Sequence, residues 1–265
     1  MRAPEAVQPG HRSAEVAYEA IAPVYDDFTA HHNYDLWLGE LLPQLRRHGL
    51  RGHRLLDVGC GTGKSFLPML ERGWQVTACD ISPSMIELAR AKAGDMAELS
   101  VADMRELPEI GEFDLVWALD DAVNYLLSPE ELGSALRGMR ANLAPGGLLM
   151  FDVNTLRAYR SFFAETQRVE RGGRRLVWRG QGSAEAAPGS ISEARFEVEA
   201  ASGDAVSVPV HVHRQRHFPE DEVLGQIDAA GLECVDVFGH GFDAVLKQPV
   251  EELVHTKAVY MARLA

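Results

Sequence analysis

The 265-residue sequence contains little cysteine, an excess of acidic over basic residues and no long apolar run, and each of these shortages excludes a class of protein. Its three cysteines, Cys60, Cys79 and Cys234, are odd in number and are spaced unlike a disulfide framework or a zinc site. Such usage is typical of a reducing compartment, so we expect a cytoplasmic protein. No segment approaches the roughly 20 apolar residues of a membrane span, and the N-terminus lacks the apolar core of a signal peptide. We therefore expect no membrane partner.

Basic residues are outnumbered, at 26 against 39 acidic residues, which gives a formal net charge of -13. Nucleic-acid binding depends on basic side chains that contact phosphates. We therefore expect no nucleic-acid partner. Hydrophobic residues make up 46% of the chain, which is enough for one large core, alone or beside a small second domain.

The segment from residue 54 to residue 154 alternates short apolar runs with helical patterns. The apolar runs are 54–58, 75–80, 99–101, 113–118 and 147–153, and the helical patterns are 64–72, 83–93 and 129–142. The alternation resumes with a helix at 219–230 and strands at 232–238 and 256–263. Strands separated by helices of about 10–14 residues indicate a parallel sheet that is covered on both faces. With right-handed crossovers, this predicts a doubly wound α/β fold.

The N-terminal segment differs from this pattern. Residues 1–12 are rich in proline, glycine and charge, which predicts a disordered tail. Two helices follow, one from the N-cap Ser13 to about Ala22 and one over 34–47. We interpret residues 13–49 as a helical lid.

Residues 155–218 have the pattern of an inserted antiparallel sheet. Gly172-Gly173 between two strand-like runs is a strong signal for a two-residue hairpin, and Ser202-Gly203-Asp204 marks a second turn. Alternate valines then lie on one face of the next predicted strand, namely Val206, Val208, Val210 and Val212. We therefore divide the chain into the tail, a core of 13–154 plus 219–265, and an inserted β lid of 155–218.

Val58-Gly59-Cys60-Gly61-Thr62-Gly63-Lys64-Ser65 follows the first predicted strand and can be interpreted in two ways. Gly63-Lys64-Ser65 is how a nucleotide-triphosphate loop ends, but that loop needs a glycine where Val58 stands. The other pattern, Asp57-x-Gly59-x-Gly61-x-Gly63, is complete. Glycines between a strand and a helix permit a tight turn and let a ligand approach the backbone. The loop is therefore predicted to bind a ligand other than a triphosphate.

Two acidic residues indicate which ligand this is. Asp80 ends the second predicted strand, 17 residues after Gly63, where a carboxylate can accept hydrogen bonds from both hydroxyls of an adenosine ribose. Asp57 ends the first strand and would repel a pyrophosphate, which disfavours a nicotinamide enzyme, but it would attract a cationic amino group. The loop amides would bind a carboxylate. Adenosine, a ribose diol, an amino group and a carboxylate together describe S-adenosylmethionine.

Over about residues 50–154 and the last two strands, the sequence resembles the class I S-adenosylmethionine-dependent methyltransferases. The motifs that carry the resemblance are Leu55-Leu56-Asp57-Val58-Gly59-Cys60-Gly61-Thr62-Gly63, Asp80, Ala102-Asp103-Met104, Phe113-Asp114-Leu115-Val116 and Leu143-Ala144-Pro145-Gly146-Gly147. The resemblance implies a seven-stranded Rossmann-like sheet whose last strand is antiparallel. It also implies that Asp80 binds the ribose and Asp103 the adenine amino group, with Met104 beside the ring. The cofactor-binding residues that it implies are Tyr18, Tyr25, Trp37, Asp57, Gly59, Cys60, Gly61, Gly63, Asp80, Ile81, Met85, Asp103, Met104 and Leu119.

A second resemblance concerns the N-terminal helices. Tyr18-x-x-Ile21-Ala22-x-x-Tyr25-Asp26 and Trp37 resemble the helical lid of small-molecule methyltransferases, including glycine and aminosugar N-methyltransferases. Relatives of those enzymes also carry a β insert after the fifth strand. This resemblance implies an enclosed site and a small-molecule acceptor.

Candidate acceptor-binding residues follow the fourth strand, because ligands bind at the carboxyl ends of parallel strands. Asp120 and Asp121 could hold an ammonium group or accept a proton, and Asp121, Asn124 and Tyr125 could bind the acceptor. The alternative is that Asp121 caps the turn 122–126 while Asn124 satisfies backbone groups of the loop.

Aromatic and histidine side chains are the remaining candidates. Tyr25 could close over the sulfonium, as could Tyr18, although both could equally be packing residues between helices. His32, in the linker between the lid helices, is a candidate base or substrate ligand, and the alternative is a solvated turn. His213 shares a strand face with two other histidines, but no carboxylate or cysteine completes a metal site. We interpret this face as overhanging the pocket, with His213 as a substrate ligand, and the alternative is a solvated face.

The sequence therefore predicts an enzyme that transfers a methyl group from S-adenosylmethionine to a nitrogen or oxygen of a small polar molecule. The acids at the mouth of the site favour an amine. Asp120, Asp121, Tyr25 and His32 are the candidate catalytic residues. A nicotinamide-dependent oxidoreductase and a cofactor-binding module without catalysis are the alternatives, and formation of a homodimer through the insert is a further hypothesis.

Overall fold

The computed structural model of the protein describes residues 11–200, 211–241 and 243–265. Most of the predicted disordered tail, residues 1–10, lies outside the described residues. So do the predicted turn Ser202-Gly203-Asp204 and the valines Val206, Val208 and Val210. None of the described helices is long and apolar enough to cross a membrane.

The described helices and strands are numbered separately, each set in chain order. The helices are α1 (His11–Phe28), α2 (Tyr34–Arg47), α3 (Leu67–Glu71), α4 (Pro83–Ala93), α5 (Pro129–Ala141), α6 (Leu156–Ser161) and α7 (Glu220–Ala229). The strands are β1 (Arg54–Val58), β2 (Gln75–Asp80), β3 (Ala97–Val101), β4 (Phe113–Ala118), β5 (Leu143–Asn154), β6 (Thr166–Arg171), β7 (Arg174–Gly180), β8 (Ile191–Ala200), β9 (His211–Arg216), β10 (Leu232–His240), β11 (Leu246–Lys247) and β12 (Lys257–Leu264).

The main sheet has the strand order β11-β10-β12-β5-β4-β1-β2-β3. The pairs β5-β4, β4-β1, β1-β2 and β2-β3 are parallel. The last strand, β12, is antiparallel to both of its neighbours, β5 and β10. The prediction of a doubly wound α/β sheet with an antiparallel last strand is confirmed, and the two-residue β11 extends the predicted seven strands to eight.

Apolar cores lie on both faces of this sheet because successive strand residues point to opposite sides. On one face, Leu56 of β1 and Leu136 of α5 belong to the same buried cluster, together with residues of α7. On the other face, Leu55 and Trp117 pack with residues of α2, α3 and α4. Burial of this apolar surface on both sides is the main stabilising term for such a sheet, at about 25 cal/mol per Å².

The helix α1 is longer than predicted and continues six residues beyond Ala22, to Phe28. A sequence-based boundary falls there because Pro23 follows, and the residue before a proline is disfavoured in a helix. The helix continues because Ile21, Val24 and Phe28 are buried in one apolar cluster with residues of the insert. Tertiary packing has therefore outweighed the local preference.

The start of α3 also differs from the prediction. The helix begins at Leu67 and not at residue 64, with Pro68 in its first turn. Proline is well tolerated there because the first helical amides have no partner within the helix. Lys64 and Ser65 consequently lie in the turn that follows the glycine loop.

The insert forms a separate antiparallel sheet with the order β6-β7-β8-β9. Its predicted Gly172-Gly173 hairpin is present, with φ values of 56° and 72° that suit the tight turn. One face of the sheet, which includes Trp178 and Phe196, packs on α1. The other face carries ion pairs such as Arg179 Nε to Glu197 Oε2, at 2.8 Å. The insert therefore covers α1 with its apolar side and faces solvent with its charged side.

Candidate functional site

Two neighbouring cavities lie near the carboxyl ends of β1, β2 and β4. The first cavity lies against the glycine loop and the second beneath the insert; their empty space, counted with the solvent onto which they open, is about 810 and 560 Å³. The side chains that line both are Tyr18, Tyr25, Asp120 and Tyr125. The two cavities therefore share a wall made of residues from α1 and from the loop after β4.

The glycine loop leaves its backbone exposed to the first cavity. Gly59 and Gly61 have φ values of 77° and 52°, in the left-handed region that favours glycine. A Cβ atom at Gly59 would lie 2.9 Å from the Cβ of Ala122, so a side chain would close the space between the loop and the segment after β4. The amides of Gly59 and Cys60 donate to the carbonyl oxygen of Cys79 and so fix the loop to β2.

Asp57 lies behind the loop and does not line the first cavity, contrary to the electrostatic role predicted from the sequence. Its side chain is fully buried, and Ser65 Oγ donates to Asp57 Oδ2 at 2.5 Å. Burial raises the pKa of the Asp57 carboxyl to about 7, against the opposing effect of the Ser65 hydroxyl. The side chain that the sequence assigned to the ligand thus supports the loop from beneath.

Asp80 lines the first cavity, as predicted. Its two carboxylate oxygens accept from the amides of Gly61, at 2.8 Å, and Ser82, at 2.9 Å. Burial raises the pKa of Asp80 to about 6, although the backbone amides oppose this shift. The carboxylate is thereby held between the glycine loop and the start of α4.

Other predicted cofactor residues divide into two groups. The residues Cys60, Ile81, Asp103, Met104 and Leu119 line the first cavity. Asp103 is held by Arg105, whose Nε lies 2.9 Å from Asp103 Oδ1. By contrast, Gly63, Met85 and Trp37 line neither cavity. Met85 is buried under α1, and Trp37 packs against His240, with ring centroids 5.1 Å apart.

The helix α1 is tied over the first cavity by polar contacts that the sequence did not reveal. Glu19 accepts from Ser82 Oγ at 2.5 Å and from Ser84 Oγ at 2.7 Å, at the amino end of α4, where a carboxylate is favoured. Farther along the helix, Asp26 accepts from Thr62 Oγ1 at 2.6 Å and pairs with Lys92 at 2.5 Å. The middle of the lid helix and its carboxyl-terminal part are thus attached to the core.

Asp120 and Asp121 adopt an unusual backbone conformation between the cavities. Their φ values are 63° and 57°, a region that non-glycine residues rarely occupy and that is often found at functional sites. Asp152, at the end of β5, holds this conformation because its Oδ1 accepts from the Asp120 amide at 2.6 Å and its Oδ2 from the Asp121 amide at 2.9 Å. Burial raises the pKa of Asp152 to about 6.

Lys257, the first residue of β12, neutralises part of this acidic cluster. Its Nζ lies 3.0 Å from Asp120 Oδ1, 3.2 Å from Asp121 Oδ1 and 2.9 Å from Asp152 Oδ2. Burial would lower the pKa of Lys257, but the three carboxylates outweigh it and hold that pKa well above its usual range. Burial likewise opposes ionisation of Asp120, yet Lys257 and His32 keep the pKa of its carboxyl well below the usual range.

His32 joins this cluster from the linker between α1 and α2. Its Nδ1 lies 2.9 Å from Asp120 Oδ2, and the Tyr34 hydroxyl donates to the same oxygen at 3.0 Å. His32 also lines the second cavity. The structure therefore brings together two predicted catalytic residues, Asp120 and His32, as a hydrogen-bonded pair.

The remaining predicted acceptor-binding residues have different surroundings. Asp121 lines the second cavity and accepts from Gln215 Nε2 at 2.5 Å and Asn154 Nδ2 at 2.9 Å. Asn124 is fully buried and lines neither cavity, because its side chain bonds the backbone of Arg216 and Asn154. Asn124 therefore satisfies backbone groups, as in the alternative, but these belong to β5 and β9 and not to its own loop.

Tyr125 and His213 meet at the wall between the insert and the core. The Tyr125 hydroxyl lies 2.8 Å from His213 Nδ1, and the ring of Tyr18 lies 5.1 Å from that of Tyr125. Burial lowers the pKa of His213 to about 3, so the imidazole is neutral. His217, on the same face, bonds Glu252 at 3.1 Å. Within the described part of the chain, no group of three or more His, Cys, Asp or Glu side chains could hold a metal ion.

Comparison with known proteins finds similarity to methyltransferases. Residues 55–147 match the family described as methyltransferase domain. The chain is 35% identical over 144 residues to a protein named as a putative methyltransferase from Geobacillus sp.. The matched residues make up 53% of this chain and 58% of that protein. It is 31% identical over 170 residues to glycine N-methyltransferase of Rattus norvegicus, covering 53% and 57% of the two chains.

Solved structures match almost the whole chain. An S-adenosylmethionine-dependent methyltransferase from Clostridium acetobutylicum has a TM-score of 0.76 at 19% identity, covers 94% of this chain and is itself 99% covered, which shows the shared fold. CalS10, an amino pentose methyltransferase from Micromonospora echinaspora solved with S-adenosylmethionine bound, has a TM-score of 0.66 at 25% identity, with coverage of 90% and 95%. The chain therefore spans little more than half of the two relatives compared by sequence but nearly all of these structures.

Proposed function

We propose that this chain, whose residues 55–147 are a methyltransferase domain of the S-adenosylmethionine-dependent class, methylates the amine nitrogen of a small polar molecule. The predictions of this family, of an enzyme and of S-adenosylmethionine as its cofactor are confirmed. The amine, the assignment of residues and the small-molecule acceptor are proposals, supported by the two adjoining cavities and by the likeness to an amino pentose methyltransferase.

The first cavity fits the cofactor in its donor set and its shape. We assign Asp80 to the ribose hydroxyls and Asp103 to the adenine amino group, because both carboxylates line this cavity. The exposed backbone of Gly59 and Gly61 is assigned to the amino-acid tail, since a Cβ at Gly59 would fill that space. When bound, the cofactor supplies an electrophilic methyl group on a sulfonium.

The second cavity is assigned to the acceptor because it shares a wall with the first. Its acidic cluster has three carboxylates against the single ammonium of Lys257, which leaves an excess of negative charge. Such a site favours a cation over an anion. An aliphatic amine has a pKa near that of a lysine side chain, about 10.4, and so arrives protonated at neutral pH. Among acceptors, an ammonium therefore suits this cavity best.

A protonated amine must lose a proton before its lone pair can react, and His32 is the residue placed to accept it. Asp120 is held ionised by Lys257 and is a poor base, because a low pKa gives little driving force for proton uptake. It instead orients His32 through the 2.9 Å contact with Nδ1, which leaves Nε2 as the basic atom. Asp121 is assigned to binding of the ammonium.

Tyr25 is assigned to closure of the reacting region, since it lines both cavities. Burial raises the pKa of Tyr25 well above its usual range, so its hydroxyl stays neutral. The acceptor nitrogen forms a bond to the methyl carbon as the carbon–sulfur bond breaks and its electrons remain on sulfur. One proton leaves the nitrogen for His32. Alignment of the reacting atoms is the larger part of such catalysis, worth several kcal/mol.

The observation that carries this proposal is the His32–Asp120 pair on the wall of the second cavity. The test is methylation of an amine library followed by mass spectrometry, with His32→Gln compared with the wild type. We expect kcat at neutral pH to fall about 100-fold or more, with recovery at high pH, where the amine loses its proton without a base.

His48→Gln is the matched control, because His48 Nε2 lies 2.9 Å from Asp236 Oδ2, the same kind of pair outside both cavities. This variant should keep wild-type kcat. Equal rates for His32→Gln and the wild type at every pH would contradict the assignment. Tight binding of S-adenosylhomocysteine without a product from any amine would favour the cofactor-binding module.

A further inference from the structure

His213, on β9 of the insert, has a polar atom without a partner at the wall of the second cavity. The residue is 1% exposed and lines that cavity. Its Nδ1 is bonded to the Tyr125 hydroxyl, but its Nε2 has no hydrogen-bond partner among the residues that the structure describes. A buried polar group in this state costs free energy unless a ligand satisfies it.

The hydrogen bonds around Tyr125 determine which nitrogen of His213 carries the proton. Burial raises the pKa of Tyr125, whereas Tyr18 and Gln215 lower it, as donors to the phenol oxygen do. Its own proton is therefore directed to His213 Nδ1, 2.8 Å away. A neutral imidazole that accepts at Nδ1 must carry its hydrogen on Nε2. His213 thus carries, in the wall of the second cavity, a buried N–H without a partner among the described residues.

The rest of the cavity wall is aromatic on one side and acidic on the other. Phe28, Phe162 and Trp178 supply the aromatic side, where Phe162 and Trp178 are stacked with centroids 4.7 Å apart. Asp120 and Asp121 supply the acidic side. No lysine or arginine is among the described residues of this lining. A phosphate group would find carboxylates and no cation there.

We propose that the acceptor is an unphosphorylated amine whose apolar ring packs on Trp178 and whose neutral oxygen accepts a hydrogen bond from His213 Nε2. His213 is then the specificity-determining residue of the acceptor site. The inference deepens the proposed function and rests on it. A donor fixed in this way discriminates against an analogue that lacks the oxygen, because the N–H then remains unpaired.

The first experiment determines which nitrogen of His213 carries the proton, and it does not require methyl transfer. The full chain, labelled with ¹⁵N histidine and bound to S-adenosylhomocysteine, is studied by NMR between pH 8 and pH 5, and His213 is assigned by loss of its signals in His213→Phe. We expect a neutral ring with hydrogen on Nε2 throughout. Hydrogen on Nδ1, or protonation of both nitrogens above pH 5, would overturn the inference.

The second experiment compares three matched probes, 4-methoxyphenethylamine, 4-ethylphenethylamine and O-phosphotyramine, which carry an ether oxygen, a methylene and a phosphate at one place. We expect at least tenfold higher kcat/KM for the methoxy than for the ethyl compound. This ratio should fall to about one in His213→Phe and persist in His211→Phe, a control on the same strand that lines neither cavity.

A preference for the phosphorylated probe, or equal rates for the methoxy and ethyl probes in the wild type, would overturn the inference. The proposed function and the inference about His213 are contradicted by different results. Absence of methyl transfer to every amine would contradict the proposed function, whereas the NMR measurement decides the state of His213 in either case.

Discussion

The Lys257 ammonium lies 2.9 Å from the Asp152 carboxylate, and this pair joins the last strand to the end of β5 directly beneath the two cavities. Asp152 holds the amides of Asp120 and Asp121, and Lys257 holds their carboxylates. One pair therefore sets both the backbone and the side-chain positions of the loop after β4. Loss of either partner should disturb cavities and stability together.

Replacement of Lys257 by methionine leaves three carboxylates close together without their cation. We expect Lys257→Met to lower the free energy of unfolding by about 3–5 kcal/mol, as for other broken buried ion pairs. Urea unfolding monitored by circular dichroism measures this. The control is Lys247→Met, whose exposed pair with Asp243 should contribute less than about 1 kcal/mol. Equal losses in the two variants would show that the Lys257 cluster carries no special stability.

Replacement of Gly59 by alanine should prevent cofactor binding by filling the space between the glycine loop and the segment after β4. A Cβ there would lie 2.9 Å from Ala122 Cβ, and the φ value is 77°. Gly73 has a similar φ of 80°, but a Cβ added there would meet no atom within 4 Å, so Gly73→Ala tests backbone strain alone. We expect Gly73→Ala to lose about 1 kcal/mol of stability, and Gly59→Ala to lose more because its Cβ also meets Ala122. Only Gly59→Ala should lose binding of S-adenosylhomocysteine by calorimetry, and retained binding would refute the assignment of the loop.

Asp80→Asn tests the assignment of the ribose site. The change removes the negative charge while it keeps one oxygen acceptor. Charge-assisted hydrogen bonds contribute about 1.5–3 kcal/mol each, so we expect affinity for S-adenosylhomocysteine to fall about 10- to 100-fold. Isothermal titration calorimetry supplies the dissociation constant. Asp114→Asn, at an acid that bonds Arg54 away from the cavities, should bind like the wild type.

Stability should depend on pH through His213. Its pKa in the folded protein, about 3, lies below the usual 6.5, so the unfolded chain takes up a proton first as the pH falls. The contribution of the neutral ring to stability is fully present above pH 6.5 and is lost progressively from there toward pH 3, at up to about 1.4 kcal/mol per pH unit. Urea unfolding at pH 7.5 and 5.5 should show a larger decrease for the wild type than for His213→Phe. Equal decreases would mean that His213 is not buried in its neutral form.

Local motifs predicted several residues that line the first cavity. Where a predicted residue lies elsewhere, a contact with another part of the chain explains its position. The glycine loop follows β1, and Asp80 ends the neighbouring parallel strand β2, so the strand–helix–strand pattern alone brings them to one place. Asp57 was placed at the ligand because it ends β1, but its side chain points beneath the loop, to Ser65. A pattern of residue types along a strand does not reveal which side of the following turn a carboxylate will reach.

The acidic cluster could not be predicted, because its members are far apart in the sequence. Lys257 meets Asp121 from 136 positions away, and His32 meets Asp120 from 88. No local periodicity records such contacts, although a lysine at the start of an apolar last strand is unusual enough to attract notice. The division into core and inserted lid and the homodimer remain predictions, and light scattering tests the latter.

The attachment of α1 at Glu19 and Asp26 has a kinetic consequence. Spent cofactor has to be exchanged for fresh cofactor in every cycle, and Tyr18 and Tyr25 of this helix line the first cavity. Where exchange waits for the helix to move, the frequency of that opening sets a ceiling on turnover however fast the chemical step becomes.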